Sequence, residues 1–173
     1  TGTGTRARVK KRPERLGGID FDAAVVGHVM RALDGLVEQL DQTDPVTLQA
    51  LARLRQDCVD AKEALSSDTD TSIPILLPNV QTEVRLTRAE LESMIRPALA
   101  DSLDAMRRSM ASAGVSPDEV SAVLLVGGSS RIPLVAQLVS NTFGRPVAID
   151  ADPKHAVALG AALFAAERAD AIG

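Results

Sequence analysis

The sequence predicts an α/β fold in its second half, preceded by a helical and β-hairpin subdomain. Three observations carry this expectation. Residues 122–173 run strand, helix, strand, helix, the order that builds a sheet covered by helices. Two long stretches between residues 20 and 66 place apolar residues at steps of three and four. Between them and the α/β part, SIPILLPNVQTEVRLT holds two β-rich runs, 72–77 and 80–86, separated by Pro78-Asn79, which reads as a hairpin.

Composition bounds the function. The chain has 173 residues, of which 45% are hydrophobic and 24% charged, enough apolar content to fold as one or two packed domains. A formal net charge of −4 argues against a nucleic-acid partner, whose phosphate backbone calls for a basic surplus. Tryptophan and tyrosine are absent, so base-stacking platforms are not expected either. Cys58 stands alone and is expected to be a small buried hydrophobe. No apolar run reaches about 18 residues and no charged-then-apolar leader is present, so no membrane partner is expected and the cytoplasm is the expected location.

Taken in order, residues 1–16 (TGTGTRARVKKRPERL) hold an alternating Gly/Thr run followed by Arg6, Arg8, Lys10, Lys11, Arg12 and Arg15. The Gly2-x-Gly4-x-x-Ala7 spacing superficially fits a dinucleotide loop, but no strand precedes it. A nucleic-acid arm would interleave aromatics, and none is there. An edge strand guarded by cations, or a truncation scar, remains. Gly17-Gly18 then opens a helix with Asp20 or Asp22 as its cap and Val25, Val29, Leu33, Leu36, Val37 and Leu40 along one face. Asp44-Pro45 predicts a cap and a first-turn proline for a second helix, which carries Leu51, Leu54, Cys58, Ala61 and Leu65 inward and ends near Ser66.

After the hairpin, Thr87-Arg88-Ala89-Glu90 forms a capping box. The helix it starts buries Leu91, Ile95, Leu99, Leu103, Met106 and Met110, with Pro97 expected to kink or divide it and Gly114 to close it in the left-handed conformation. A short turn begins at Ser116-Pro117. A buried strand at 122–126 follows, then a glycine bend, a helix over about 131–143 closed by Gly144, a strand at 146–149 and an alanine-rich helix.

The bend, VLLVGGSSRIPLV (123–135), invites a ligand. Where a buried strand ends in Gly127-Gly128 and turns into a helix capped by Ser129 or Ser130, amides and the positive helix end face outward with no side chain in the way. Arg131 adds a planar guanidinium that stacks on a base or pairs with a phosphate. The plainer account is a tight turn, a capping serine and a solvated arginine, and spacing alone does not choose between the two.

LGGIDFD (16–22), RLRQDCVDAKEALSS (53–67), LTRAELESMI (86–95), VLLVGGSSRIPLV (123–135) and DPKHAVALGAA (152–162) resemble, in this order and spacing, the later part of the nucleotide-binding domain of Hsp70 (DnaK-type) chaperones. The resemblance covers nearly everything after Leu16. It implies a partial actin-like ATPase (ribonuclease H-like) lobe, the second of two that enclose ATP, with a helical plus β-hairpin insertion at 17–86 over the cleft and an α/β core at 87–173. It implies contacts to ATP or ADP from Lys62, Ser66, Gly127, Gly128, Ser129 and Arg131: the glycines beside ribose and phosphates, Ser129 near the nucleoside, Arg131 on the adenine face. Lys62 and Ser66 stand one helical turn apart and project together. Read without the resemblance, Lys62 is a snorkelling surface lysine and Ser66 a helix-end hydroxyl.

Departures stand at Val59, where an acidic residue usually reaches the ribose; at Glu63, where many members carry a basic or apolar residue beside adenine; and at Lys154-His155, where an Asp-Glu pair is usual. The first two bear most directly on the nucleoside and imply weakened adenosine binding, while Lys154 is a cation that could instead attract an anion. No protein metal site is expected, since His28 and His155 lack neighbouring ligands, and magnesium would enter only with the other lobe. The first-lobe phosphate loop, its lysine and carboxylates, and the second glycine-rich phosphate loop have no counterpart, so no catalytic residue is assigned and this chain alone is expected not to hydrolyse ATP. The alternative is a non-catalytic interaction module, since exchange factors or other co-chaperones dock on this insertion in relatives. Unpaired strand edges would also favour self-association.

Overall fold

The computed structural model describes residues 17–149 and 155–170. The basic segment 1–16 and Lys154 lie outside the described residues.

Helix α1 (Gly18–Ala32) buries Phe21, Val25 and Val29 at four-residue steps. Its N-cap is Gly17, not either aspartate: Asp20, three residues on, accepts from the Gly17 amide at 3.0 Å, and Asp22 faces elsewhere. The helix also stops earlier than its apolar spacing suggests. Asp34 (φ 42°) and Gly35 (φ 77°) turn left-handed, which ends a right-handed helix within a residue or two. Leu33 and Val37 are still buried, whereas Leu36 is 40% exposed.

Helix α2 (Pro45–Ala64) begins as predicted, with Asp44 accepting from the Thr47 amide at 2.9 Å and Pro45 in the first turn. Leu51, Leu54, Cys58, Ala61 and Leu65 all turn inward. Strands β1 (Asp70–Leu77) and β2 (Val80–Thr87) pair antiparallel from Leu77↔Val80 out to Asp70↔Thr87. Asn79, at φ 63°, makes the two-residue turn, a conformation asparagine tolerates well. Ile73, Ile75 and Leu77 alternate into the core while Ser72, Pro74 and Leu76 face out.

Helix α3 (Arg88–Ala113) starts on the Thr87–Glu90 capping box, with Thr87 N donating to Glu90 Oε2 at 2.8 Å and Glu90 N to Thr87 Oγ1 at 3.2 Å. Pro97 does not divide it. Both Pro97 and Ser93, whose carbonyl loses its partner, lie on the exposed face, where water satisfies the freed group. Gly114 closes the helix at φ 68°.

The remainder alternates. Strand β3 (Val123–Leu125) pairs parallel with β4 (Val147–Ile149), and α4 (Pro133–Phe143) crosses between them, the βαβ unit that a parallel pair requires. Helix α5 (Ala156–Asp170) follows and leaves Leu159, Leu163 and Phe164 exposed. A larger core gathers α1, α2, the hairpin, the first half of α3, Ile132 and Leu134. A smaller one holds Leu103, Val139 and Phe143, with Val123, Leu125 and Val147 packed against it. Each fully buried Leu or Ile contributes about 1.5–3 kcal/mol, so the larger core is the main stabilising unit.

Candidate functional site

A cleft of about 630 Å³ opens where the start of α1, the last turn of α2 and the β3–α4 corner meet. That volume falls in the range of about 300–1,000 Å³ usual for small-molecule sites. Lys62, Ser66, Gly128, Ser129 and Arg131 all line it, so two segments far apart in the sequence face one hollow. Gly127 does not line it. Its part is the corner itself, at φ 90° and ψ 156°, a backbone region open in practice only to glycine.

The corner differs from the helix start that the two serines suggested. Residues Gly128–Arg131 form a 3-10 turn, and α4 begins only at Pro133, with Ile132 as its N-cap and no side-chain cap. Pro133 brings a preset φ and no amide to satisfy, which makes a polar cap less necessary. Ser130 uses its hydroxyl otherwise: Ser130 Oγ donates to Gly127 O at 2.7 Å, alongside the Ser130 amide at 3.1 Å. Ser130 is buried and fixes the corner, while Ser129 is directed at the cleft. The leading amides of such a turn have no acceptor within it, so the corner keeps its attraction for electron-rich groups.

On the α2 side, Lys62 is only 9% exposed, which sets aside the snorkelling account. Its ammonium donates to Asp22 Oδ1, forty residues away on α1. An ammonium has three donors, so this pair orients Lys62 and leaves hydrogens for the cleft. The end of α2 is held by Arg88, whose Nε donates to Leu65 O at 2.9 Å, and this fixes the turn that carries Ser66.

Sequence reasoning missed Gly18, Ser67, Ile132 and Ile149 on the lining, and Asp22 as the partner of Lys62. Gly18 matters most. A Cβ placed there would stand 3.3 Å from Ser129 Oγ and 3.6 Å from Lys62 Nζ, so a side chain would crowd the point where the two walls approach. The Gly17-Gly18 pair was the available signal, and its helix-opening role hid the second one. Val59 is half-buried and does not line the cleft, whereas Glu63, one turn later on α2, does. Cys58 lies behind the wall: burial first, then the charges of Asp57 and Asp22, push its thiol up to about 11, so it is no nucleophile at neutral pH.

Chemically, the cleft offers a planar cation, an ammonium, three hydroxyls, one carboxylate and a close backbone approach. The set suits a flat, polar, hydrogen-bonding ligand such as a nucleoside. Among the described residues no group of three or more His, Cys, Asp or Glu side chains is placed to hold a metal, and no helix is long and apolar enough to cross a membrane.

Comparison with known proteins identifies the family. The family model described as Hsp70 protein matches residues 10–169. The chain is 38% identical over 152 residues to a chaperone protein HscA homolog of Acidithiobacillus ferrooxidans, covering 87% of this chain and 23% of that protein. It is 43% identical over 150 residues to the HscA homolog of Pseudomonas putida, covering 87% and 22%, and 33% identical over 160 residues to chaperone protein DnaK of Cenarchaeum symbiosum, covering 87% and 24%. The chain thus spans less than a quarter of the length of these relatives. With matched segments that include both walls of the cleft, the chain belongs to the Hsp70 family.

Proposed function

We propose that this chain forms the adenosine-contacting side of the ATP/ADP site of an Hsp70-type chaperone ATPase, as part of the second lobe of an actin-like nucleotide-binding domain. One observation carries the reading: Lys62 and Ser66 from α2 and Gly128, Ser129 and Arg131 from the β3–α4 corner line a single cleft of suitable volume. Arg131 stacks on the purine, Ser129 and Ser66 bond the nucleoside, and Lys62, steadied by Asp22, donates to base or ribose.

Hydrolysis is not assigned to these 173 residues. Phosphoryl transfer rests on positioned charge and magnesium around the γ-phosphate, and the chain offers no counterpart to the family's phosphate loops. Magnesium would be held by phosphates together with groups of the other lobe, so no step is drawn through it. Calorimetry with ADP and ATP on the wild type, Lys62→Ala and Arg131→Ala tests the reading, with a phosphate-release assay beside it. Binding by the wild type, weakening of about tenfold or more in Arg131→Ala, which lies on the exposed rim, and no phosphate release are expected. Absence of binding by the wild type, or equal affinity in all three proteins, would overturn the assignment.

A protein-docking role for the helical subdomain is the second reading. The segment from Leu36 to Leu48 exposes Leu36, Val46 and Leu48, apolar groups suited to a co-chaperone surface. If that is their role, Val46→Asp with Leu48→Asp abolishes binding of an exchange factor and leaves nucleotide binding intact; unchanged factor binding would refute it.

A further inference from the structure

Two hydroxyls of the cleft stand on backbone that no helix governs. Lys62 projects from within α2, whose hydrogen-bond ladder fixes its direction. Ser66 and Ser67, which both line the hollow, come after Leu65, the C-cap of that helix. Their amides bond back only in tight turns, to Glu63 O at 3.1 Å and Ala64 O at 2.9 Å. A helix end of this kind frays unless its last carbonyls find donors.

Arg88 supplies donors on both sides of the serines. Its Nε donates to Leu65 O at 2.9 Å, immediately before Ser66, and its backbone amide donates to Thr69 O at 2.8 Å, two residues after Ser67. Because Arg88 is the first residue of α3, behind the Thr87 cap, that amide has no acceptor within its own helix and is available for the bond. The guanidinium is always charged and lies at the C-terminal end of α2, where the helix dipole favours a cation. One half-buried residue thus brackets the 66–68 turn from behind, without lining the cleft itself.

Resting on the nucleoside reading above, we propose that Arg88 is a positioning residue for the nucleotide: it holds the 66–68 turn so that Ser66, and with it Ser67, bonds the nucleoside. Arg88 then sets affinity through those two hydroxyls and never touches the ligand. A purely structural role has a different signature, since it lowers affinity by the same factor whatever stands at positions 66 and 67.

The test is a mutant cycle in calorimetry with ADP, on the wild type, Arg88→Met, the pair Ser66→Ala with Ser67→Ala, and all three substitutions together. One neutral hydrogen bond changes affinity by about twofold to tenfold. The serine pair is therefore expected to weaken ADP binding by about tenfold, and Arg88→Met by about fivefold. In the serine-free background Arg88→Met is expected to add less than about twofold, because nothing is left for it to position. Equal affinity in Arg88→Met and the wild type, or a loss of undiminished size without the serines, overturns the proposal and leaves the nucleoside site standing. Should Arg88→Met not fold, as read by circular dichroism, Arg88→Lys takes its place in the same cycle. Its ammonium lacks the fixed fork of the guanidinium, a loss of about threefold is expected, and the same two outcomes decide. Failure of the wild type to bind ADP overturns the site itself, and the role of Arg88 with it.

Discussion

Replacing Lys62 by methionine and Asp22 by asparagine, singly and together, measures how firmly α1 is tied to α2 beneath the cleft. The side chains are 11% and 25% exposed, between the two well-characterised limits. Exposed pairs contribute about 0.2–1 kcal/mol, and removing one member of a fully buried pair costs about 3–5 kcal/mol. A loss of about 2 kcal/mol is expected for Lys62→Met, since Asp22 is then left without its cation in a site that water only partly reaches. With a urea dependence of about 2 kcal/mol per molar, the midpoint of a far-ultraviolet circular dichroism titration falls by about 1 M. The double variant recovers part of that loss, because methionine and asparagine leave no isolated charge, and a coupling of about 1 kcal/mol or more results. If the single effects instead add to within about 0.5 kcal/mol, the two side chains act independently and the account of Lys62 as a lysine positioned by Asp22 is wrong.

Two glycines separate crowding from backbone strain. Gly18→Val should block nucleotide binding, because its branches enter the space beside Ser129 and Lys62; unimpaired binding in calorimetry would refute this. Gly127→Ala has open space for its Cβ but a φ of 90°, so a stability loss of about 1–3 kcal/mol is expected, read by the same urea titration. Cys58, with its thiol raised to about 11, should resist iodoacetamide at pH 8 in the native protein and react readily once denatured; fast native labelling would contradict the burial. Asp44 and Glu90 are held below their ordinary values, Asp44 chiefly by the Thr47 amide and Glu90 chiefly by the Thr87 hydroxyl. Their contribution is present above the unfolded carboxylate values and is lost as pH falls through the lowered folded ones. Thr87→Val should therefore flatten the decline of the urea midpoint between about pH 5.5 and pH 3, and an unchanged slope would show that the Thr87 hydroxyl bond has no such effect.

Much of this was legible where the deciding interactions are local. The Asp44 cap, the Thr87–Glu90 box, the Pro78-Asn79 turn and the glycine closures at 114 and 144 each depend on residues within four positions of one another, and the chain folds there as its spacing implies. The failures share the opposite character. Apolar spacing through Leu40 was genuine, as buried Leu33 and Val37 show, yet two left-handed residues rather than periodicity end α1. Ser129 and Ser130 look alike in sequence, and only the packing of the corner sends one inward to Gly127 and the other to the cleft. Asp22 reads as a helix cap until a lysine forty positions later claims it. In the cleft, five of six expected residues face the hollow because the end of α2 and the β3–α4 corner deliver them. Gly18, Ile132 and Ile149 join through tertiary approach alone, for which linear order holds no mark.

The β3–α4 corner stands with one foot in each core. Val123 and Leu125, which lead into it, pack on the small cluster and are secured by a ladder of three residue pairs, whereas Ile132 and Leu134, which lead out, are anchored in the large one. Fraying that starts at β4 should accordingly spread to β3 and halt at Ile132, so that amide protons of the ladder exchange with deuterium well before the seat of Arg131 is disturbed.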